Sequence, residues 1–288
     1  MSTRGFTWLL VILIVAPVLA LMGGGYYYLG VYQPKEYTKQ VSRFYENLKS
    51  DEQNLGSTTS SIKSSNDYKN ATLSLNVIDQ FLSEQEAKLN KIKPPLFGPG
   101  KKLHEDFLTL FKSSHEAIDD NKRRAEFMVK ATELEDVMSP KTSQTFDPAT
   151  AKVKDLQQFY NKWIPEVKQV GNDLFGDGDE APNLTEVSYD ELKTAWEQAE
   201  PGFDTLLAAV HSLDPNAPLD PSLLLQSQLE SGQTKEAGDR VNSFNKLLKA
   251  AIDNNTASDI LSLSSSSQSS QQLEQKLQEL QKKYFGGR

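Results

Sequence analysis

From Pro34 onward, apolar side chains recur in steps of three and four, the spacing that lines one face of a 3.6-residue helix. Tyr37, Val41, Phe44 and Leu48 make the first stripe, and Leu75, Ile78, Leu82, Leu89 and Ile92 the second. Pro94, Pro95 and the turn signal Gly98-Pro99-Gly100 close that second helix. Leu103, Phe107, Leu110, Phe111 and Ile118 open a third, predicted to run through Met128 and Val129 to a stop at Ser139-Pro140. The fourth stripe is Val153, Leu156, Tyr160, Trp163, Val167, Val170 and Leu174; the fifth is Tyr189, Leu192, Trp196, Ala199, Phe203, Leu206 and Val210. Ser188 and Glu191 have the spacing of a capping box ahead of the fifth. Val241, Phe244, Leu248 and Ala251 give a sixth, and Leu273, Leu277, Leu280 and Tyr284 a last one. Only 73–77 alternates with a period of two, and it runs straight into a helical pattern, so no strand is predicted.

A three-four alternation is the seam of near-parallel helix packing, as in coiled coils and bundles. The expected fold class is therefore all-α: an N-terminal single transmembrane helix followed by an antiparallel α-helical bundle. The bundle domain spans 34–261, in stripes of two to four turns packed as one body. The serine-rich tract 262–270 reads as a linker, and 271–288 as a short C-terminal amphipathic helix that docks on the bundle. Pro165 and Pro201 fall inside the fourth and fifth stripes and are expected to kink or break those helices, because proline removes a backbone donor and crowds the preceding turn.

The first 33 residues follow another pattern. After a short tail, 1–5, the chain carries no charge between Arg4 and Lys35, and 9–22 is almost wholly apolar. Trp8 stands at one end of this run and Tyr26, Tyr27 and Tyr28 at the other. A helix from Trp8 to Tyr28 spans roughly 30 Å, the thickness of a bilayer's hydrocarbon core. Aromatic residues at both ends match the interfacial belts, and Pro17 with the Gly23-Gly24-Gly25 triplet is better tolerated in lipid than in a soluble helix. Residues 6–33 are thus read as a transmembrane anchor, or an uncleaved signal anchor. The alternative is a cleaved signal peptide with Val18-Leu19-Ala20 at its processing site. The expected topology has a cytoplasmic amino terminus and the bulk of the chain outside the cytoplasm, although Lys35, Lys39, Arg43 and Lys49 make the far flank the more basic one.

Arg4-Gly5-Phe6-Thr7 followed by an apolar run resembles the processing site of type IV prepilins. That resemblance implies cleavage after Gly5 and a pilin-like filament subunit. Leu10 stands where the family carries a glutamate, and the pattern that follows does not predict the family's α/β head.

Composition narrows the chemistry. The 288 residues include no cysteine, which excludes disulfides, thiolate metal sites, a thiol nucleophile and a lipidated cysteine. A net charge of −8 argues against nucleic acid as a partner, since that affinity depends on clustered Lys and Arg. His104 and His115 lie about 16 Å apart along one helix, too far to share a metal, and His211 closes the fifth helix, where the dipole favours a cation. No phosphate-binding glycine loop or nucleophile motif occurs, so no catalytic residue is assigned and no enzyme is expected.

The charge itself is localised. Residues 173–204 hold ten acidic side chains and one lysine, and the rest of the chain after Pro34 is balanced. Asp173, Asp177, Asp179 and Glu180 offer the hard oxygen ligands of a Ca²⁺ loop, though out of register with an EF-hand. Glu186, Asp190, Glu197 and Glu200 are the candidates for meeting a protein partner with a basic surface. The expected function is an extracytoplasmic protein–protein interaction module: a scaffold, adaptor or accessory subunit of an envelope complex. The alternative is a ligand-binding or sensing bundle, with Ca²⁺ at the acidic loop.

Overall fold

The computed structural model describes residues 27–59, 67–139, 150–176, 181–219, 233–261 and 266–286. The fold is all-helical. A short π-helical stretch, Tyr28–Tyr32, leads into α1 (Gln33–Thr59), followed by α2 (Tyr68–Asn90), α3 (Pro99–Met138) and α4 (Val153–Phe175). Then come α5 (Tyr189–His211), α6 (Gln233–Asp253), the short α7 (Ala257–Leu261) and α8 (Ser266–Phe285). Among the described residues there is one isolated bridge, Lys152 with Pro218, and no strand, so an α/β head is not among them. Leu73 to Val77 is helical, with Leu73 and Val77 exposed. No described helix is long and apolar enough to cross a membrane; the anchor expected at 6–33 lies outside the described residues except for 27–33.

The chain divides into two compact units. Unit 1 comprises Met1–Ser60, Asn76–Ile118 and Leu263–Arg288, and unit 2 comprises Ser61–Leu75 and Asp119–Ser262. Two of the four divisions, after Leu75 and after Ile118, fall inside helices, α2 and α3.

Unit 1 is an antiparallel bundle whose core is built from the predicted stripes. Tyr37, Val41 and Phe44 of α1 meet Leu89 of α2, Leu103, Phe107 and Phe111 of α3, and Leu273, Leu277 and Leu280 of α8. Phe44 and Phe107 pack edge to face at 6.0 Å, the geometry that ring quadrupoles favour. Cross-helix pairs give the directions. Lys49 with Glu274 (2.8 Å) and Ser42 with Gln281 (2.9 Å) run in opposite order along α1 and α8, so those helices are antiparallel. Tyr37 with His104 and Phe44 with Phe107 keep the same order along α1 and α3, which are therefore parallel. The helix α8 starts at Ser266, within the tract read as a linker, and docks in the bundle through its leucine seam.

In unit 2, the pairs Trp196–Asn172, Lys168–Asp204 and His211–Asn161 run in opposite order along α4 and α5, an antiparallel hairpin. Its centre is aromatic: Trp196 stacks on Phe175 at 6.1 Å and lies 5.2 Å from Phe244 of α6. Gly171 permits the close approach of α4 and α5, because a Cβ there would overlap the Trp196 ring. The capping box at Ser188 and Glu191 is present in both directions.

Pro165 and Pro201 sit inside α4 and α5, yet both helices continue through them. The carbonyls that lose their donors belong to Asn161 and Glu197, both exposed residues, so the loss falls on the solvent side of each helix. The third helix, α3, runs 40 residues to Met138, ending where the stop at Ser139-Pro140 is predicted. Its polar stretch 119–124 interrupts the visible stripe without any glycine or proline to end the helix.

Candidate functional site

The acidic segment is framed by two apolar clamps. Phe175, the last residue of α4, is buried among Phe127, Tyr189, Trp196 and Phe244, and Pro182 is buried on the far side of 177–180. Asp173 is exposed in the last turn of α4, and its backbone carbonyl accepts a hydrogen bond from Lys130 Nζ at 3.3 Å. The other calcium candidates, Asp177, Asp179 and Glu180, lie outside the described residues.

Beyond Pro182 the backbone is pinned by a polar node centred on the buried Asn255. Asn255 is fully buried, and its Oδ1 accepts from Arg124 Nε (2.7 Å) and from the Thr185 backbone N–H (2.9 Å). Its Nδ2 donates to the Ala251 carbonyl at 2.6 Å, while an Arg124 amino group donates to Thr185 Oγ1 at 2.6 Å. Burial lowers the pKa of Arg124, and Asp259 and Asp120 act in the opposite direction. The node fixes a tight three-residue turn in which Val187 N–H donates to the Thr185 carbonyl at 2.8 Å. Glu186 at its centre has φ 66°, a left-handed conformation that favours glycine. Ser188 then caps α5, and its backbone N–H and hydroxyl hold the Glu191 carboxyl below its usual pKa.

The four partner-binding candidates separate. Glu186, Asp190 and Glu197 are exposed. Glu200 is half-buried and lies 3.5 Å from Lys168 of α4, which also pairs with Asp204 at 2.8 Å. Asp204 holds the Lys168 ammonium above its ordinary pKa. A count along 173–204 misses this cation, because it reaches the segment from the neighbouring helix. Asn255 and Arg124 were equally invisible, as nothing local distinguishes a buried asparagine from an exposed one.

The histidines have different environments. His115 Nδ1 lies 2.6 Å from Asp79, with Nε2 3.6 Å from Glu86. His104 is buried against the ring of Tyr37, and its Nδ1 has no hydrogen-bond partner among the described residues. His211 lies in the last turn of α5, as expected, and bonds Asn161 at 2.9 Å. No group of three His, Asp or Glu side chains is arranged to hold a metal among the described residues. A cavity of about 100 Å³ lies beside the acidic segment, lined by Arg123, Phe127, Lys130 and Tyr189 among others. That is well below the several hundred Å³ usual for small-molecule sites. Of the anchor residues, Tyr27 and Tyr28 are exposed, while Trp8, Pro17 and Tyr26 lie outside the described residues. In comparisons with protein-family models, curated proteins and solved structures, the chain matches none.

Proposed function

We propose that this chain is a non-enzymatic, membrane-anchored helical protein, with a cytoplasmic amino terminus and the bulk of the chain outside. In this reading unit 2 is an interaction module for a protein partner with a basic surface. The observation that carries it is the partition of charge. The sequence stretches of unit 1 contain 15 basic and 12 acidic residues, and those of unit 2 contain 16 and 27. Unit 2 thus holds an excess of eleven negative charges, and Glu186, Asp190 and Glu197 present part of it on a backbone already fixed by Asn255 and the Ser188 cap. A pre-ordered charged face loses little conformational entropy on binding, and it steers an oppositely charged partner during encounter. The apolar run 9–22, bounded by Trp8 and the tyrosines, supports the anchor.

The test is photo-crosslinking in intact membranes from the exposed position Thr194, compared with a Glu186→Lys, Asp190→Lys, Glu197→Lys variant. A discrete crosslinked product that disappears in the variant and weakens with salt is expected. The same product from the charge-reversed chain would reject this face as the contact.

A calcium-loaded loop is the second reading, favoured by the buried Phe175 and Pro182 that hold the two ends of 177–180. Thermal melting should then shift upward in millimolar Ca²⁺, and the shift should vanish in Asp177→Asn with Asp179→Asn. An unchanged melt of the parent chain removes the metal.

A further inference from the structure

We infer that one end of unit 1 rests on the membrane surface, with Phe97 and Phe285 at the level of anionic lipid headgroups and a ring of lysines around them. The inference rests on the anchored reading above and adds a second, peripheral contact made by the folded unit itself. Eleven large apolar side chains are exposed among the described residues; Leu96, Phe97 and Phe285 of the folded unit lie at this end, beside Tyr27, Tyr28, Leu29, Val31 and Tyr32 of the segment read as the anchor. Phe97 is 74% exposed, at the tip of the turn between α2 and α3. Scattered apolar residues on a surface need no explanation, but a concentration of this kind marks a contact site.

Three observations bring these segments together. A Cβ on Gly100 would touch both Pro95 and Tyr37, so the α2–α3 turn and the first turns of α1 adjoin. The Lys35 ammonium lies 5.5 Å from the centre of the Phe285 ring, which brings the end of α8 to the start of α1. An open groove of about 280 Å³ is lined by Lys102 and Asp106 of α3 and by Lys276, Glu279 and Lys283 of α8, with Lys276 paired to Asp106 at 2.6 Å.

The charge of this end opposes that of the chain. Residues 27–39, 91–105 and 279–286 contain eight lysines and three glutamates, in a protein whose net charge is −8. Lys101 and Lys102 occupy the first turn of α3, with no acidic residue there. Like charge at the positive end of a helix dipole is unfavourable, and a phosphate against it relieves the repulsion. Lysines whose stems lie along apolar surface and whose ammonium groups reach outward, beside rings with one wet edge, suit the headgroup region of a bilayer. Basic residues next to an anionic membrane surface add attraction that salt weakens. The bilayer, rather than a protein, is the occupant that the chain itself brings into reach, because the apolar run 9–22 ends only four residues before Tyr27.

The absence of cysteine makes a direct test simple. The full chain is prepared as single-cysteine variants Phe97→Cys, Phe285→Cys, Val15→Cys and Lys112→Cys, each labelled with an environment-sensitive fluorophore. Each is reconstituted into vesicles of phosphatidylcholine and phosphatidylglycerol in equal parts. Lys112 is an exposed control on α3, about 17 Å along the helix from Lys101. Labels at 97 and 285 should be quenched severalfold more by spin-labelled lipid than the label at 112. Charge reversal at Lys93, Lys101 and Lys102 to Glu should reduce quenching at 97. Quenching at 97 and 285 no greater than at 112, with the label at 15 in lipid, would overturn the surface contact and leave the anchor standing. The reverse, 97 and 285 in lipid but 15 in water, would uphold this contact and remove the anchor. Equal quenching in pure phosphatidylcholine, or in the charge-reversed chain, would overturn the role given to anionic lipid.

Discussion

Two side chains carry consequences out of proportion to their place in the sequence. Asn255 serves Arg124, Thr185 and Ala251 at once from a fully buried position. Replacing it with alanine removes the acceptor of a half-buried guanidinium and of a backbone N–H, at a cost of about 1–2 kcal/mol. Asn255→Asp keeps the acceptor for Arg124 and loses less; the order of the two urea midpoints checks the assignment. His104 shows the opposite condition, a buried imidazole whose Nδ1 is unmatched among the described residues. Burial disfavours its charged form and lowers its pKa, with Glu105 opposing in part. The unfolded chain takes up this proton near pH ~6.5, while the folded chain stays neutral to lower pH. The stability linked to His104 is thus present above about pH 6.5 and is lost as the pH falls through the lowered pKa. Melting temperatures at a series of pH values from neutral to mildly acid should fall less steeply for His104→Gln than for the parent chain.

At the level of elements, α8 shows what a stripe can and cannot reveal. Its seam of Leu273, Leu277 and Leu280 marked a helix with a buried face, and all three side chains are buried. Leu277→Ala should therefore cost about 2–5 kcal/mol of stability, measured by chemical denaturation, since it deletes buried methyl groups and leaves a cavity. The partner of that face was not legible, because a three-four spacing is the same whichever helix it meets. Capping was easier to read: Ser188 and Glu191 act within one turn, and the box forms as spaced. Proline was legible only in part, since neither helix breaks at 165 or 201. The lost donor is local, but whether a helix continues past it depends on the packing around it. The acidic site was legible as composition and only partly as geometry, because Lys168 enters it from α4.

On the scale of the molecule, the figure of −8 divides into a unit with a small positive excess and a unit with a large negative one. On the proposed reading, this division would set the lysines of one unit toward lipid phosphates and the carboxylates of the other toward a basic protein, with both contacts weakened by salt. The two-unit arrangement was hidden from any local reading, since unit 1 closes only through pairs such as Tyr45 with Glu274, 229 residues apart. That separation also sets an order in time. A ribosome adding roughly 5–20 residues per second takes roughly 10–45 s to travel from one side of that pair to the other. Throughout that interval Tyr37, Val41 and Phe44 wait without the leucines that cover them, while every residue of unit 2 emerges in between. The nascent chain therefore completes its interior before its beginning. Until α8 arrives, the apolar face of α1 has only Leu89 of α2 and Leu103, Phe107 and Phe111 of α3 to cover it.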